Sequence, residues 1–186
     1  MKKFNNIPNR PYTAVEDGKV RFHSRSVAIS AIVFLSDGRG NYYVLCHTRG
    51  DGCPDERGKW SFNCGYLDWN ETLEESVKRE LWEELGLDTD LLQVCKIVRD
   101  KIDDMITGEN AVKQNVTIRH LVACDYDEVQ NLLESGILNN RSHERGGEEN
   151  EVGEIRIFKL SEDINPTEWA FNHSQIYNDF KKHYYG

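Results

Sequence analysis

Two features that would place the chain in or across a membrane are missing from its 186 residues. No apolar run approaches the length of a membrane span, and the two lysines in the opening MKKFNNIPNR have no apolar stretch behind them. A spanning helix needs about 20 apolar residues and a secretory signal needs an apolar core, so neither is predicted. We therefore expect a soluble, cytoplasmic protein that has no membrane partner.

Cysteine is present without the spacing of a disulfide framework or a zinc site. The chain has five cysteines, which is an odd number, and it has no C-x-x-C pair. Together with the missing secretory signal, this predicts free thiols that mostly act as small buried side chains. They are Cys46, Cys53, Cys64, Cys95 and Cys124.

An excess of positive charge is missing as well. The chain has 23 Lys and Arg against 32 Asp and Glu, a formal net charge of −9. Extended nucleic acid and anionic membranes need a positive field, so this balance argues against both as partners. It still allows a small anionic substrate that is held through a metal ion.

Linkers and repeats are also missing, and 38% of the residues are hydrophobic. That content is enough for one core, so we predict a single domain over residues 1–186.

Residues 27–35 and 42–49 are β-branched and aromatic runs joined by SDGRGN, which predicts a hairpin. Strand-like and helix-like segments alternate along the rest of the chain, which favours an α/β fold. Further strands are expected at Trp60, from Leu91, from Val116 and from Glu154, and helices over 73–85, after Asp127 and from Pro166.

Negative charge is concentrated in residues 65–87, GYLDWNETLEESVKRELWEELGL, which contain seven carboxylates and two Glu-Glu pairs. Thr72 and Glu75 have the spacing of a capping box, which predicts a helix that starts at Leu73. Gly86 has the residue type that ends helices in the left-handed conformation. The first pair, Glu74 and Glu75, therefore falls in the first turn, where the helix dipole favours anions.

The second Glu-Glu pair needs a different explanation. On the predicted helix Glu80, Glu83 and Glu84 lie three or four residues apart, beside an apolar stripe that must face the core. Such like charges repel one another and raise their pKa values. A divalent cation removes this repulsion, and carboxylate oxygens are the ligands that Mg²⁺ takes from proteins. The stripe consists of Leu73, Val77, Leu81 and Leu85.

The whole segment resembles the signature of the Nudix hydrolases. The matching positions are Gly65, five residues, Glu71, seven residues, Arg79-Glu80-Leu81, one residue, Glu83-Glu84, one residue, and Gly86-Leu87. The resemblance implies an α/β/α sandwich around a mixed β-sheet. It also implies a catalytic site that binds Mg²⁺ or Mn²⁺. The implied reaction is hydrolysis of the pyrophosphate bond of a nucleoside diphosphate linked to another moiety, by water attack at phosphorus.

The resemblance also implies roles for individual catalytic residues. Glu80, Glu83 and Glu84 become metal ligands, joined by the carbonyl of Gly65 or of Cys64. Arg79 and Glu71 become a supporting ion pair. A more distal acid is matched best by Glu151. Its competitors in the same loop are Glu144, Glu148 and Glu149, and the general base is one of these acids or Glu80.

Substrate contacts and partners are less defined by the sequence. Arg49, at the end of a strand, and Arg57, in the next loop, are candidates for binding a phosphate, with surface solubility as the competing role. Trp60 is a candidate for stacking on a base, although aromatic residues are more often part of the core. The expected partner is a small nucleotide, and whether the chain forms a homodimer is left open.

One departure from the family keeps other functions open. The segment before Gly65 usually ends Pro-Gly-Gly, and here it is FNCG, with Cys64 in it. Isopentenyl-diphosphate isomerases share the fold and have a catalytic cysteine at that place, but they follow the glycine with a metal-binding histidine, where this chain has Tyr66. A hydrolase is therefore favoured. The other alternative is a non-catalytic nucleotide-binding module.

Overall fold

The computed structural model describes residues 12–23, 27–104 and 116–185. Within these ranges the chain forms nine strands, three α-helices and three shorter helical segments, and no helix there is long and apolar enough to cross a membrane. The opening lysines lie outside the described residues. The strands are β1 (Tyr12–Glu16), β2 (Lys19–His23), β3 (Val27–Ser36), β4 (Tyr42–Arg49), β5 (Trp60–Ser61), β6 (Asn63–Tyr66), β7 (Cys95–Asp104), β8 (Val116–Asp125) and β9 (Val152–Lys159). The helices are α1 (Leu73–Glu80), α2 (Tyr126–Glu134) and α3 (His173–Tyr185).

Seven of these strands form one sheet of mixed direction. The path through it is β5-β4-β3-β8-β7, with β6 also paired to β3 and β9 also paired to β4. β3 and β8 run parallel, whereas every other pair in the sheet is antiparallel. The predicted mixed sheet is therefore confirmed. β1 and β2 form a separate two-stranded hairpin.

Strand β3 shows why the sheet is covered by helices on both faces. Its side chains alternate, and both sets are almost completely buried. Ile29 and Val33 belong to a core cluster that contains residues of α1 and α2. Ile32 and Phe34 belong to a second cluster that contains Tyr177 of α3. A strand that is buried on both faces reads as a continuous apolar run, so the predicted α/β/α sandwich is confirmed.

The apolar stripe of α1 faces the first of these clusters, as predicted. Val77, Leu81 and Leu85 are wholly buried, and Leu73 packs against them at the edge. Burying each such side chain contributes about 1.5–3 kcal/mol. This packing fixes the rotation of the helix, and the rotation in turn decides where its glutamates point.

Some boundaries differ from those that the sequence indicates. The strand expected from Leu91 begins only at Cys95, because Leu91 and Val94 are exposed in a turn in which Leu91 N–H donates to the Asp88 carbonyl. The helix expected from Pro166 is a short 3₁₀ turn, and α3 starts at His173. Neither the β1–β2 hairpin nor β6 was predicted.

Candidate functional site

The N-terminal end of α1 has the predicted capping box. The Thr72 hydroxyl accepts from the Glu75 N–H at 3.2 Å, and the Glu75 carboxylate accepts from the Thr72 N–H at 2.7 Å. These hydrogen bonds hold the pKa of Glu75 below its usual value. Glu74 and Glu75 are exposed to solvent. The free N–H groups at this end of the helix are hydrogen-bonded by local residues.

The C-terminal end of the same helix is irregular. From Leu81 to Leu85 the helix continues as a π-helix, and Gly86 ends it in the left-handed conformation with φ 75°. The amides of Gly86 and Leu87 turn back to the carbonyls of Trp82 and Leu81, at 2.9 and 3.1 Å. The predicted helix over 73–85 is thus confirmed in extent, but its last turn is wider than an α-helical one. Such π-turns occur mostly as local insertions in helices, often at functional sites.

Arg79 connects the carboxylates of this segment. Its guanidinium binds Glu71 through two nitrogens, at 3.0 and 2.8 Å, and its Nη1 also donates to Glu80 at 2.8 Å and to Glu83 at 3.0 Å. The pairing with Arg79 lowers the pKa of Glu71 to about 2. One guanidinium therefore provides positive charge to three of the carboxylates at once.

Glu80 is the carboxylate whose protonation is most perturbed. Burial, and then the charge of Glu84, raise its pKa to about 8, in spite of the pairing with Arg79. Its carboxylate lies directly against Gly65 of β6, where an added Cβ would come within 2.0 Å of Oε1. Position 65 must therefore be glycine for the carboxylate to reach this place. The close approach also places the backbone of Gly65 beside the carboxylate of Glu80.

Two residues without a predicted functional role lie against the carboxylate of Glu84. Its Oε2 accepts a hydrogen bond of 2.5 Å from Asn63 Nδ2 and lies 3.3 Å from Nε2 of His47. The three side chains are buried. Asn63 stood out in the sequence only as a departure from Pro-Gly-Gly. His47 carried no local signal, because the pairing of the strands brings it here.

Arg145 supports the C-terminal end of the helix from outside. Its Nε donates to the Trp82 carbonyl at 2.7 Å, and its Nη2 donates to the Glu84 carbonyl at 3.2 Å. Asn139 holds the same guanidinium through Nη1 at 2.8 Å. A cation at this position satisfies carbonyls that the helix leaves open and offsets the negative end of its dipole. The sequence around Arg145 does not indicate this role.

The four candidates for the distal acid differ in how far they are buried. Glu151 is half-buried, and burial and the charge of Glu84 raise its pKa, whereas Glu144, Glu148 and Glu149 are exposed. The backbone of Glu151 is fixed because its carbonyl accepts from the Gly50 N–H at 2.7 Å. Of the four candidates, Glu151 is therefore the partly buried one, and it feels the charge of Glu84.

The three residues predicted to contact substrate are placed differently from one another. Arg49 is bound to Asp55 at 2.6 Å and lies over the ring of Phe171. Arg57 is exposed, and its Nε donates to the Cys53 carbonyl. Trp60 packs edge-on against Phe158, in the core cluster that contains α3, on the other face of the sheet from Glu84.

Cys64 lies on β6 between Asn63 and Gly65 and is half-exposed. Burial of its sulfur, and then the charge of Glu84, raise the pKa of the thiol to about 12. At neutral pH the sulfur therefore stays protonated, which is unfavourable for a nucleophile.

The oxygen donors of this site suit a hard divalent cation. Within the described residues, no group of three or more His, Cys, Asp or Glu side chains is arranged to hold a metal ion, and Arg79 is paired with oxygens of both Glu80 and Glu83. That guanidinium is itself a cation bridging two of the candidate ligands. Arg79 does not fully offset the negative charge, because burial and the charge of Glu84 still raise the pKa of Glu80, and a further cation beside these carboxylates fits the group that the sequence implies.

The NUDIX domain profile matches residues 25–180, so the chain belongs to the Nudix family. Similar solved structures include a MutT/nudix family protein from Enterococcus faecalis, with 18% identity and a TM-score of 0.58. The match covers 84% of this chain and 60% of the Enterococcus protein, so this chain spans less than two thirds of that protein.

Three further structures share the fold. The NUDIX domain of NrtR from Shewanella oneidensis, complexed with ADP ribose, is 18% identical over 87% of this chain and 90% of that domain, with a TM-score of 0.57. Another structure of NrtR is complexed with a 27mer DNA. A MutT NUDIX hydrolase from Burkholderia pseudomallei is 21% identical over 84% of this chain and 98% of its own, with a TM-score of 0.55. No curated protein matches the chain.

Proposed function

We propose that the chain is a metal-dependent hydrolase that cleaves the pyrophosphate bond of a nucleoside diphosphate linked to another moiety. The observation that carries this proposal is the buried pair Glu80 and Glu84, at the end of a helix whose dipole disfavours negative charge. A solvated acidic surface would leave these side chains exposed. Buried carboxylates that repel each other support the proposal that a cation binds between them.

Glu80, Glu83 and Glu84 would hold Mg²⁺ or Mn²⁺, with the Gly65 carbonyl as a further ligand. The ion would supply charge to offset the phosphates and would lower the pKa of a bound water. Arg79 can then withdraw from Glu80 and Glu83 while it keeps its two hydrogen bonds to Glu71. Glu71 in this way orients Arg79 beside the ligands.

Glu80 and Glu151 are the candidates for accepting the proton of the attacking water. A general base works best when its pKa lies near the working pH. The pKa values of both are raised, that of Glu80 to about 8, and both feel the charge of Glu84. Glu151 has no partner guanidinium in the described residues, so its carboxylate is the freer of the two to meet a water.

Arg57 is the better placed of the two arginine candidates for the substrate's phosphates. It is exposed, and within the described part of the chain only its Nε is engaged, whereas Arg49 is paired with the carboxylate of Asp55. ADP ribose is the first compound to test, because the NUDIX domain of NrtR was solved with it.

The test is hydrolysis of a panel of nucleoside diphosphate derivatives by the purified chain, with Mg²⁺, with Mn²⁺ and with excess chelator. We expect cleavage of at least one compound with either metal and none with chelator. Identifying the products as nucleoside monophosphate, phosphate or pyrophosphate shows which bond is broken. Undiminished cleavage in excess chelator would contradict the metal site, and binding without cleavage would favour the non-catalytic module.

The isomerase alternative is tested through Cys64. Because a methyl group cannot replace a proton donor or a nucleophile, Cys64→Ala should abolish an isomerase but leave a hydrolase largely active. We expect hydrolysis to be retained. Loss of nearly all turnover in a folded Cys64→Ala protein would reopen the isomerase function.

A further inference from the structure

We propose that His47 is a nitrogen ligand of the metal ion in this site, in addition to the carboxylates. This inference rests on the proposed function, because it concerns the same ion. It is carried by the position of the imidazole ring, by the orientation of its two nitrogens, and by the excess of acceptor atoms around it.

The environment of Nδ1 fixes the tautomer of His47. Nδ1 lies 3.1 Å from the carbonyl oxygen of Thr48, which can only accept a hydrogen bond. Nδ1 must therefore carry a proton, and in the neutral imidazole Nε2 then has a free lone pair. Histidines that bind metals have this arrangement, with one ring N–H donated to a carbonyl or carboxylate and the other nitrogen directed at the ion.

The environment of Nε2 has no donor to satisfy that lone pair. Nε2 lies 3.3 Å from Oε2 of Glu84, and the two side chains are each only 4% exposed. Among the described residues Nε2 has no hydrogen-bond partner. A lone pair and a carboxylate oxygen at this distance repel each other unless a proton on Nε2 or a metal ion lies between them. The described residues do not form the hydrogen bond that such a proton would make, which favours the metal ion.

Asn63 adds to the surplus of acceptors. Its Nδ2 donates a hydrogen bond to the same Oε2 of Glu84. Its buried Oδ1 has no hydrogen-bond partner among the described residues. Among the described residues, the buried space beside Glu84 thus has acceptors on His47, Asn63 and Glu84 itself, and Asn63 Nδ2 is the one side-chain donor to the Glu84 carboxylate. Unpaired buried acceptors are unfavourable, and a cation satisfies several of them at once.

The separation of Nε2 and Oε2 suits two ligands of one ion. Ligand atoms about 2.1 Å from an octahedral ion and at right angles to each other are about 3 Å apart. The observed 3.3 Å is close to that value, so His47 needs little movement to bind. An imidazole ligand favours the later divalent metals over Mg²⁺, so Mn²⁺ should bind more tightly than Mg²⁺.

The test is pulsed electron paramagnetic resonance of Mn²⁺ bound to the intact chain, prepared with natural and with ¹⁵N-labelled histidine. We expect a nitrogen coupling to Mn²⁺ that changes with the isotope. It should disappear in His47→Gln and persist in His120→Gln. His120 is a matched control because it is also buried and its Nδ1 lies beside a backbone carbonyl, that of Ile118, but it is on β8.

Each outcome decides the proposal. If Mn²⁺ binds without a histidine coupling in the wild-type chain, His47 is not a ligand, although the hydrolase function stands. If the coupling persists in His47→Gln, another histidine is the ligand and the proposal is wrong. If no Mn²⁺ binds, both this proposal and the proposed function fail. The isotope comparison in the wild-type chain shows by itself whether any histidine is a ligand, and if His47→Gln fails to fold, His47→Asn assigns the coupling in its place.

Discussion

The two ends of the helix that begins at Leu73 have the same Glu-Glu sequence but opposite surroundings. At the first turn Glu74 and Glu75 are exposed, the dipole is favourable, and the capping box uses only local residues. At the last turn Glu83 and Glu84 face the negative end of the dipole. There the chain supplies Arg79 from the same helix and Arg145 from a distant loop. Composition alone therefore does not distinguish a stabilising pair from a functional one.

The comparison also shows what each end requires from the rest of the chain. The N-terminal end is complete by itself. The C-terminal end buries Glu84 against two strands and still leaves acceptors unsatisfied. Charge that is buried without full compensation is unfavourable in a structure unless a ligand completes it.

The largest difference between the ends should appear in turnover. Glu84→Gln keeps the volume but removes a charged ligand, so we expect it to lower the rate by about 10²–10³-fold. Glu75→Gln should keep the wild-type rate within about twofold, since that carboxylate is exposed and outside the site. The rates are measured with Mg²⁺ on a compound that the wild-type chain cleaves. Equal rates for the two variants would remove the distinction.

The next largest effect concerns the support of the C-terminal end. Arg145→Met keeps the aliphatic stem but leaves the carbonyls of Trp82 and Glu84 without a cation, which should lower the free energy of unfolding by about 2 kcal/mol. Arg141→Met is the matched control, because the exposed Arg141 guanidinium has, among the described residues, only the Glu144 carboxylate as an ion-pair partner, at 3.9 Å. We expect a change within about 0.5 kcal/mol for it. Urea titrations measure the free energy of unfolding of both variants. Equal losses of stability would contradict a supporting role for Arg145.

A smaller effect is expected from pH. The folded pKa of Glu80 is about 8, above its ordinary value of 4.5, so the folded chain binds the extra proton between these values. Stability of the metal-free chain must therefore fall as the pH rises through this range, and Glu151 adds to the same trend. His173, whose buried ring has a pKa of about 3, acts with the opposite sign, but only below about pH 6.5.

The effect of Glu80 on stability is therefore best measured between pH 6.5 and 8, where His173 no longer opposes it. Over it we expect a loss of about 1.5 kcal/mol in the wild-type chain, which Glu80→Gln should largely remove. Urea titrations at the two pH values, in chelator, measure both. A wild-type stability that rises over this window would contradict the assignment.

The smallest effect should come from the N-terminal end. Thr72→Ala removes one half of the capping box and should lower the free energy of unfolding by about 1 kcal/mol, with turnover unchanged. Thr72→Ser keeps the hydroxyl and should restore most of the loss. A fall in turnover of Thr72→Ala beyond its loss of folded protein would mean that the two ends are coupled.

The sequence predicts what local residues decide. The β3–β4 hairpin follows from two β-branched runs around SDGRGN, and the helix start follows from Thr72 and Glu75. The acidic residues of the last turn follow from their spacing. The predicted strand start at Leu91 is too early. The apolar residues from Leu91 favour a strand, but in the structure Leu91 lies exposed in a turn.

The rest of the site depends on contacts between distant parts of the chain. His47 and Asn63 meet Glu84 only because β4 and β6 pair with β3, and nothing near either residue indicates it. Arg145 lies in a polar loop whose composition predicts only exposure. Residues that support a site from a different strand or loop cannot be found from the spacing of residues in the sequence. The folded structure is needed to identify them.

The most direct test of the difference between the two ends is calorimetric titration of Mn²⁺ into the metal-free wild-type, Glu75→Gln and Glu84→Gln chains at pH 8, where Glu80 is substantially ionised. Affinity depends on the number of charged ligands, so Glu84→Gln should bind at least about tenfold more weakly than the wild-type chain. Glu75→Gln should bind as the wild-type chain does. If all three bind Mn²⁺ equally, or none binds it, the last turn of the helix is not a metal site.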